Sequence, residues 1–295
     1  MISKSIDVYS LIEPEINKLR KVGIETANLD CRLLLSKSLE RELILYNHQN
    51  ISISENEIKI FQSFIEQRIE GKPVSRIINK RNFWKKEFKL NEATLDPRSD
   101  SETLIETFLE QYTQKSKLLK ILDLGSGSGC LGLSILDEYY NSNVTFIDIS
   151  KKSLEIAKIN AVDYGLAERS KFIHLDWEFE EWDLKLIEAE NNIKFDIIIS
   201  NPPYIPTDDI KRLQKEVKNY DPLVALNGGK DGLDAYKSIL PKLRFVVKKY
   251  GKIFLEIGKG QENLVSSIGL ENGLIPIKYK KDLSGVNRVI TFIVK

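Results

Sequence analysis

The stretch LLKILDLGSGSG, residues 118–129, joins a short apolar run to a glycine-rich loop, and the pattern that follows predicts a helix from about Cys130. A strand, a glycine loop and a helix in this order are typical of a parallel α/β sheet. The glycines let the backbone turn sharply and approach a ligand closely, and the helix N-terminus adds partial positive charge. The stretch therefore predicts an α/β fold with a ligand site directly after the first strand.

Strands and helices continue to alternate downstream of this stretch. We predict helices from about 130, from about 151, over 233–247 and after 261, and strands over 118–122, 144–148, 172–175, 195–199, 252–257, 275–279 and 289–294. Alternation of this kind implies a mostly parallel sheet with helices on both faces. The last two strands are separated by a short turn containing Gly285, which predicts an antiparallel hairpin at the C-terminal end.

The N-terminal part has a different pattern, with apolar residues at helical spacing from about residue 8 to residue 71. Ser54 followed by Glu57 resembles a capping box that opens the last of these helices, and Gly71 with Pro73 closes it. We therefore predict a small α-helical bundle over residues 1–73, a linker with a β-hairpin over 74–97, and the α/β domain over 98–295.

Composition limits the classes of function. The 295 residues are 42% apolar and 29% charged, as in a soluble globular protein, and 44 Lys and Arg balance 43 Asp and Glu to a formal charge of +1. This balance gives no overall field for binding nucleic acid. Cys31 and Cys130 are the two cysteines, which suits a reducing compartment, and no signal core or run of about 20 apolar residues occurs. We expect a cytoplasmic protein with no membrane association and no metal.

The glycine loop fits two cofactors. Gly127-x-Gly129-x-x-Gly132 matches the dinucleotide fingerprint, with Asp148 at a suitable distance, so the pattern alone does not separate NAD from S-adenosylmethionine. Asp123 lies just before the glycines, where an acid suits a sulfonium and an ammonium better than a pyrophosphate. No hydride-transfer site is evident either. We therefore predict S-adenosylmethionine, with Asp148 on the ribose and Asp176 and Trp177 beside the adenine; the predicted cofactor residues are Asp123, Gly125, Ser126, Gly127, Ser128, Gly129, Asp148, Asp176, Trp177 and Asn201.

The segment Asn201-Pro202-Pro203-Tyr204 follows the apolar run of residues 195–200. Proline has no backbone N–H, so this stiff turn presents carbonyl acceptors without donors. The side-chain carbonyl of Asn201 and the backbone carbonyl of Pro202 can hold both hydrogens of an –NH₂ group, while Tyr204 packs on its plane. These residues predict a reaction on a planar nitrogen and leave an amide and an exocyclic amine equally open.

Together, the loop 123–129, Asp148, Asp176-Trp177 and the Asn201 turn resemble the HemK/PrmC family, the N5-glutamine methyltransferases of peptide chain release factors. The resemblance extends over the whole chain, with further matches at Arg76, 95–103, 220–222, 225–233, 255–258, Gln261, 282–285 and Arg288. The chain departs from the family pattern at Ser126, where most members have Thr, and at 76–79, where most have Tyr-x-x-Gly.

The resemblance implies a class I S-adenosylmethionine-dependent methyltransferase fold, Rossmann-like, preceded by the helical bundle. It also implies methylation of the amide nitrogen of the glutamine in the Gly-Gly-Gln motif of class-1 release factors, with S-adenosylhomocysteine as product. Asn201, Pro202 and Tyr204 would be catalytic, and Pro203 would join them in binding substrate. We expect class-1 release factors as partners, no direct contact with nucleic acid, and a monomer.

Two alternatives belong to other classes. An adenine-N6 DNA methyltransferase would use the same acceptors on an exocyclic amine, but the near-zero net charge and the lack of an obvious DNA-recognition domain argue against it. A non-catalytic module that binds a release factor or the ribosome would keep the fold. The intact Gly125, Gly127, Gly129, Asp148 and Asn201 argue against that alternative.

Overall fold

The computed structural model describes residues 3–41 and 48–295, which form two compact units. The first unit contains the described residues up to Lys80 together with Lys215–Tyr220, and the second contains Arg81–Gln214 and Asp221–Lys295. Within the described residues, no helix is both long enough and apolar enough to cross a membrane.

The first unit packs helices around its own apolar core, which includes Ile12, Leu34 and Phe61. Its elements are β1 (Ser3–Asp7), α1 (Val8–Lys21), α2 (Ala27–Ser38), β2 (Asn50–Ser54), α3 (Glu55–Ile69) and α4 (Val74–Ile78). The predicted capping box is present at the start of α3, because the Glu57 carboxylate accepts from Ser54 N at 2.7 Å and Glu57 N donates to Ser54 Oγ at 3.2 Å.

Strands β1 and β2 pair antiparallel with Ile6 opposite Ile51, a sheet that the helical prediction did not include. From Asn50 to Ile53 in β2, exposed polar residues alternate with the buried Ile51 and Ile53, which is the period-two pattern of a half-buried strand. The signal was present, but it covers only five residues between two much longer helical patterns.

A two-stranded sheet of β3 (Lys80–Phe83) and β4 (Lys86–Lys89) lies in the segment where we predict a β-hairpin, and all of it except Lys80 belongs to the second unit. A sheet of seven strands follows: β5 (Lys120–Leu124), β6 (Asn143–Asp148), β7 (Ser170–His174), β8 (Phe195–Ser200), β9 (Val247–Glu256), β10 (Leu274–Lys281) and β11 (Asn287–Val294). The helices in chain order are α5 (Glu102–Gln111), α6 (Cys130–Glu138), α7 (Lys151–Asp163), α8 (Trp182–Ala189), α9 (Thr207–Ile210), α10 (Lys215–Tyr220, part of the first unit), α11 (Asp234–Val246) and α12 (Glu262–Glu271).

The strand order is β10-β11-β9-β8-β5-β6-β7. The five strands β9, β8, β5, β6 and β7 run parallel to one another, whereas β11 is antiparallel to both β9 and β10. The predicted mostly parallel sheet with an antiparallel C-terminal hairpin is therefore confirmed.

Helices cover both faces of this sheet. Ile198 faces a core with Leu186 of α8 and Tyr236 of α11, whereas its neighbour Ile197 faces a second core with Phe108 of α5 and Leu133 of α6. Because both faces are buried, β8 reads as a continuous apolar run.

The chain passes from β5 to β6 and β7 on one side of the sheet, and then crosses to β8 on the other side of β5. In open α/β sheets, ligands bind at such a switch point, beyond the carboxyl ends of the strands. A ligand site is therefore expected at the loops that follow β5, β6 and β8.

Candidate active site

A cavity of about 830 Å³, including its open mouth, lies at the carboxyl ends of these strands. The loop after β5 lines it with residues 125–128, the end of β6 with Asp148, and the turn after β8 with Asn201 and Pro203. Trp177 forms part of the same wall. The fold therefore brings the predicted cofactor loop and the predicted substrate turn to one cavity.

The glycine loop needs its glycines for conformation. Gly125, Gly127 and Gly129 have φ angles of 77°, 54° and 78°, in the left-handed region that other residues rarely adopt. A Cβ on Gly125 would also lie 2.8 Å from two ring atoms of Trp177, so the indole packs directly on this glycine. The glycine loop and the Trp177 ring therefore line the same cavity.

Asp148 fixes the glycine loop from the end of β6. Its Oδ2 accepts from Gly127 N at 2.8 Å and its Oδ1 accepts from Ser150 N at 2.8 Å. Burial raises the pKa of Asp148, and these two backbone hydrogen bonds oppose the rise. Each carboxylate oxygen keeps a further lone pair, so Asp148 can still accept a hydroxyl at the cavity.

Asp123 lies behind the loop and does not line the cavity. It is 1% exposed, its Oδ2 accepts from Gly132 N at 2.9 Å, and its buried Oδ1 has no hydrogen-bond partner. Burial raises the pKa of Asp123 to about 7. The predicted acid is therefore a buried, incompletely paired carboxyl group adjacent to the glycine loop.

Among the other predicted cofactor residues, Ser126 and Ser128 line the cavity, whereas Gly129 and Asp176 do not. The hydroxyl of Ser126 is buried without a hydrogen-bond partner. Asp176 instead accepts from Glu178 N at 2.8 Å, which shapes the chain after β7 and leaves Trp177 as the wall of the cavity.

The Asn201 turn presents two free oxygens. Asn201 Nδ2 donates to Ser101 Oγ at 3.0 Å. Within the described chain, no donor is hydrogen-bonded to Asn201 Oδ1 or to the Pro202 carbonyl oxygen. The turn thus combines one anchored amide nitrogen with two unused acceptors. Asn201 and Pro203 line the cavity, whereas Pro202 is buried and is not a lining residue.

Tyr204 is oriented away from the cavity lining. Its hydroxyl donates to Glu256 Oε1 at 3.0 Å, and its ring packs against the core that contains Leu255 and Tyr236. Burial raises the pKa of the Glu256 carboxyl to about 7, and the hydroxyls of Ser101 and Tyr204 oppose that rise. Tyr204 therefore anchors the turn to the core of the second unit, and its ring does not line the cavity.

The turn also forms hydrogen bonds with residues 226–228 and with Gln261. Ile205 N donates to Leu226 O at 3.0 Å, Gly228 N donates to Ile205 O at 2.9 Å, and Gln261 Nε2 donates to Tyr204 O at 3.0 Å. A Cβ on Gly228 would lie 2.8 Å from Tyr204 Cα, so only glycine allows this approach. These contacts restrain the backbone of the turn.

Several lining residues had no predicted role, among them Leu95, Pro97, Arg98, Ser101, Val224 and Ala225. Arg98 pairs with the buried Asp221, whose Oδ1 also accepts from Asp96 N at 3.3 Å. Glu256 had a usable signal, because it ends a parallel strand at the same sheet edge as Asn201. Ser101 had none, since it lies on a helix start that is 100 residues away in sequence.

The sequence of this chain matches two protein-family models and several known proteins. Residues 92–217 match the methyltransferase small domain and residues 16–78 match the PrmC N-terminal domain. The bifunctional methyltransferase of Rickettsia felis is 35% identical over 97% of this chain, and the chain spans about half of that relative's length, 58%.

Two shorter relatives match nearly end to end. The release factor glutamine methyltransferase of Bradyrhizobium diazoefficiens is 35% identical over 93% of this chain and 90% of the relative. The protein of the same name from Clostridium acetobutylicum is 36% identical over 92% of this chain and 93% of the relative. The chain belongs to the release factor glutamine methyltransferase family, as its sequence motifs predicted.

Proposed function

We propose that this chain transfers the methyl group of S-adenosylmethionine to the side-chain amide nitrogen of the glutamine in the Gly-Gly-Gln motif of class-1 peptide chain release factors. Family membership and the names of the Bradyrhizobium and Clostridium relatives support the substrate. The Rickettsia felis relative is longer, and this chain spans 58% of it.

One observation carries the chemistry: Asn201 lines the cavity, and neither its Oδ1 nor the oxygen of the adjacent Pro202 accepts a hydrogen bond from a donor in the described chain. A primary amide carries two N–H groups on one planar nitrogen. A pair of free acceptors on a proline-stiffened turn is complementary to that group, and it offers nothing to a substrate nitrogen that lacks hydrogens.

The residues around the glycine loop suit S-adenosylmethionine. Asp148 can accept hydrogen bonds from the ribose hydroxyls, and Trp177 offers a flat wall for adenine. The Ser126 hydroxyl and Asp123 Oδ1 are buried polar atoms that have no hydrogen-bond partner in the described chain. An ionised Asp123 favours a cationic ligand. When bound, the cofactor supplies an electrophilic methyl group and becomes S-adenosylhomocysteine.

The chain's own contribution is orientation. An amide nitrogen is a poor nucleophile because its lone pair is delocalised into the carbonyl. If Asn201 Oδ1 and the Pro202 oxygen accept the two amide hydrogens, they fix the amide plane and stabilise the positive charge that develops on nitrogen. Pro203 stiffens the turn and Tyr204 anchors it. The surplus proton leaves after transfer, to solvent or to one of these carbonyl oxygens.

The proposal includes a monomeric, cytoplasmic enzyme without direct nucleic-acid contact. The formal charge of +1 supports the lack of nucleic-acid contact, and the free cysteines Cys31 and Cys130 suit a reducing compartment. Light scattering of the purified protein tests the oligomeric state, and a mass of two or more chains would contradict a monomer.

Transfer of labelled methyl groups tests the function directly. The purified chain is incubated with labelled S-adenosylmethionine and, in parallel, a release factor, the same factor with its Gly-Gly-Gln glutamine replaced, and DNA. We expect label only in the unaltered release factor. Label in DNA alone, or equal label in both release factors, would overturn the proposal.

A further inference from the structure

We propose that Ser101 is a positioning residue that fixes the Asn201 carboxamide with its oxygen, and not its nitrogen, toward the cavity. The inference rests on the proposed function, because the orientation matters only if the substrate presents N–H groups at this place.

A carboxamide needs such a fixing contact. The torsion that turns the Asn amide is broad and nearly two-fold, so the oxygen and the nitrogen exchange places at little cost. In the flipped state Asn201 would present an NH₂ group to the substrate NH₂ group, and two donors form no hydrogen bond. An unrestrained Asn201 would therefore spend much of its time in an unproductive orientation.

The contact that distinguishes the two ends is the hydrogen bond from Asn201 Nδ2 to Ser101 Oγ, at 3.0 Å. Ser101 is 3% exposed, so bulk water does not replace it as a partner for the amide. The other end, Asn201 Oδ1, has no donor in the described chain. The amide is thus held by its nitrogen alone.

Ser101 also departs from the usual local use of its residue type. It occupies the N-cap position of α5, where a serine hydroxyl normally accepts a backbone N–H of the first turn. Here the side chain makes no capping hydrogen bond and bonds to Asn201 instead. The start of α5 therefore positions the Ser101 hydroxyl for Asn201 and not for the helix backbone.

Glu256 biases the direction of this hydrogen bond. The carboxyl group is fully buried, its Oε1 accepts from Tyr204, and its Oε2 has no hydrogen-bond partner in the described chain. The Ser101 hydroxyl is among the groups that oppose the rise in the pKa of Glu256. An ionised Glu256 only accepts, so it favours the hydroxyl rotamer whose proton is turned toward the carboxylate. In that rotamer Ser101 offers lone pairs to Asn201, and lone pairs select the NH₂ end. Arg288 pairs with Asp100 at 3.1 Å and so restrains the residue next to Ser101.

Three variants test the inference. Ser101→Ala removes the acceptor, and Ser101→Thr keeps a hydroxyl at the same carbon. Ser142→Ala is the matched control, because Ser142 is an equally buried serine whose hydroxyl bridges Leu119 N and Lys117 O away from the cavity. For each variant, kcat for release-factor methylation, the Kd of S-adenosylmethionine and Tm are measured.

We expect Ser101→Ala to lower kcat by about 10- to 100-fold, the scale at which a small misplacement of a reacting group slows an enzyme, while the cofactor Kd stays near the wild-type value. Ser101→Thr should recover most of kcat, and Ser142→Ala should lower Tm without lowering kcat. A wild-type kcat in Ser101→Ala, or a Ser101→Thr variant as slow as Ser101→Ala, would overturn the inference.

An NMR measurement separates this inference from the proposed function. The side-chain amide protons of Asn201 should exchange slowly in the wild type and faster in Ser101→Ala, whatever the substrate is. Equal exchange in both proteins would overturn the role of Ser101. Slow exchange in a wild-type protein that does not methylate glutamine would overturn the proposed function and leave the contact with Ser101 standing.

Discussion

Gly125 offers a sharp test of the cofactor side of the cavity, because an alanine at this position meets a single side chain. With φ at 77°, the added Cβ would lie 2.8 Å from Trp177 Cη2 and Cζ3. Ordinary contact begins at 3.4 Å, so the indole must move by about 0.6 Å or the loop must deform. Gly125→Ala therefore displaces the wall on which we expect the adenine to pack.

Two costs follow from this substitution. The left-handed backbone costs a non-glycine residue about 1–2 kcal/mol of stability. Aromatic stacking adds about 0.5–1.5 kcal/mol beyond the buried area. Losing that stacking weakens cofactor binding by about 2- to 12-fold, since about 1.4 kcal/mol corresponds to a factor of ten.

Gly165→Ala is the matched control, because Gly165 also has a positive φ, 66°, but a Cβ there meets nothing within 4 Å. We expect both variants to lose similar stability in chemical denaturation, and only Gly125→Ala to bind S-adenosylmethionine more weakly in calorimetry. Equal cofactor affinities in the two variants would refute the argument that Trp177 forms the adenine wall.

Three further predictions address the remaining groups. Asn201→Ala should lower kcat by about 10²- to 10³-fold through loss of one acceptor with little change in cofactor Kd, and parallel losses of both would make Asn201 mainly a cofactor residue. Tyr204→Phe removes the donor to Glu256 and should cost about 1–3 kcal/mol of unfolding free energy. That loss should be larger at pH 8 than at pH 6 because the unpartnered carboxyl is then ionised, and a pH-independent loss would argue against this cause. Because burial raises the pKa of Asp123 to about 7, the affinity for the cationic cofactor should rise from pH 6 to pH 8, and calorimetry should find this rise reduced in Asp123→Asn; an unchanged rise would assign the effect to another group.

Much of the fold could be predicted because the parallel strands are buried on both faces. Ile197, Ile198 and Ile199 leave no alternative to a central strand, and the order of strands and helices then gives the sheet. The strand pair β1 and β2 was missed because only five residues on each side form it, and the apolar helical pattern around it dominates the sequence.

The candidate site could be predicted only where its residues adjoin strand ends. The glycine loop, Asp148 and Asn201 follow β5, β6 and β8 directly, so topology alone brings them together. Ser101 reaches Asn201 across 100 residues, a tertiary contact with no local signal. For Tyr204, the aromatic type indicated a flat wall, but the sequence did not reveal that a buried Glu256 would take its hydroxyl.

The central claim is that the acceptor of the methyl group is a release-factor glutamine. Release factors isolated from cells with and without this protein can be compared by tandem mass spectrometry across the Gly-Gly-Gln segment. We predict one methyl group on the glutamine amide nitrogen when the protein is present and none when it is absent. A modification that persists without the protein, or an unmodified glutamine in its presence, would contradict the account.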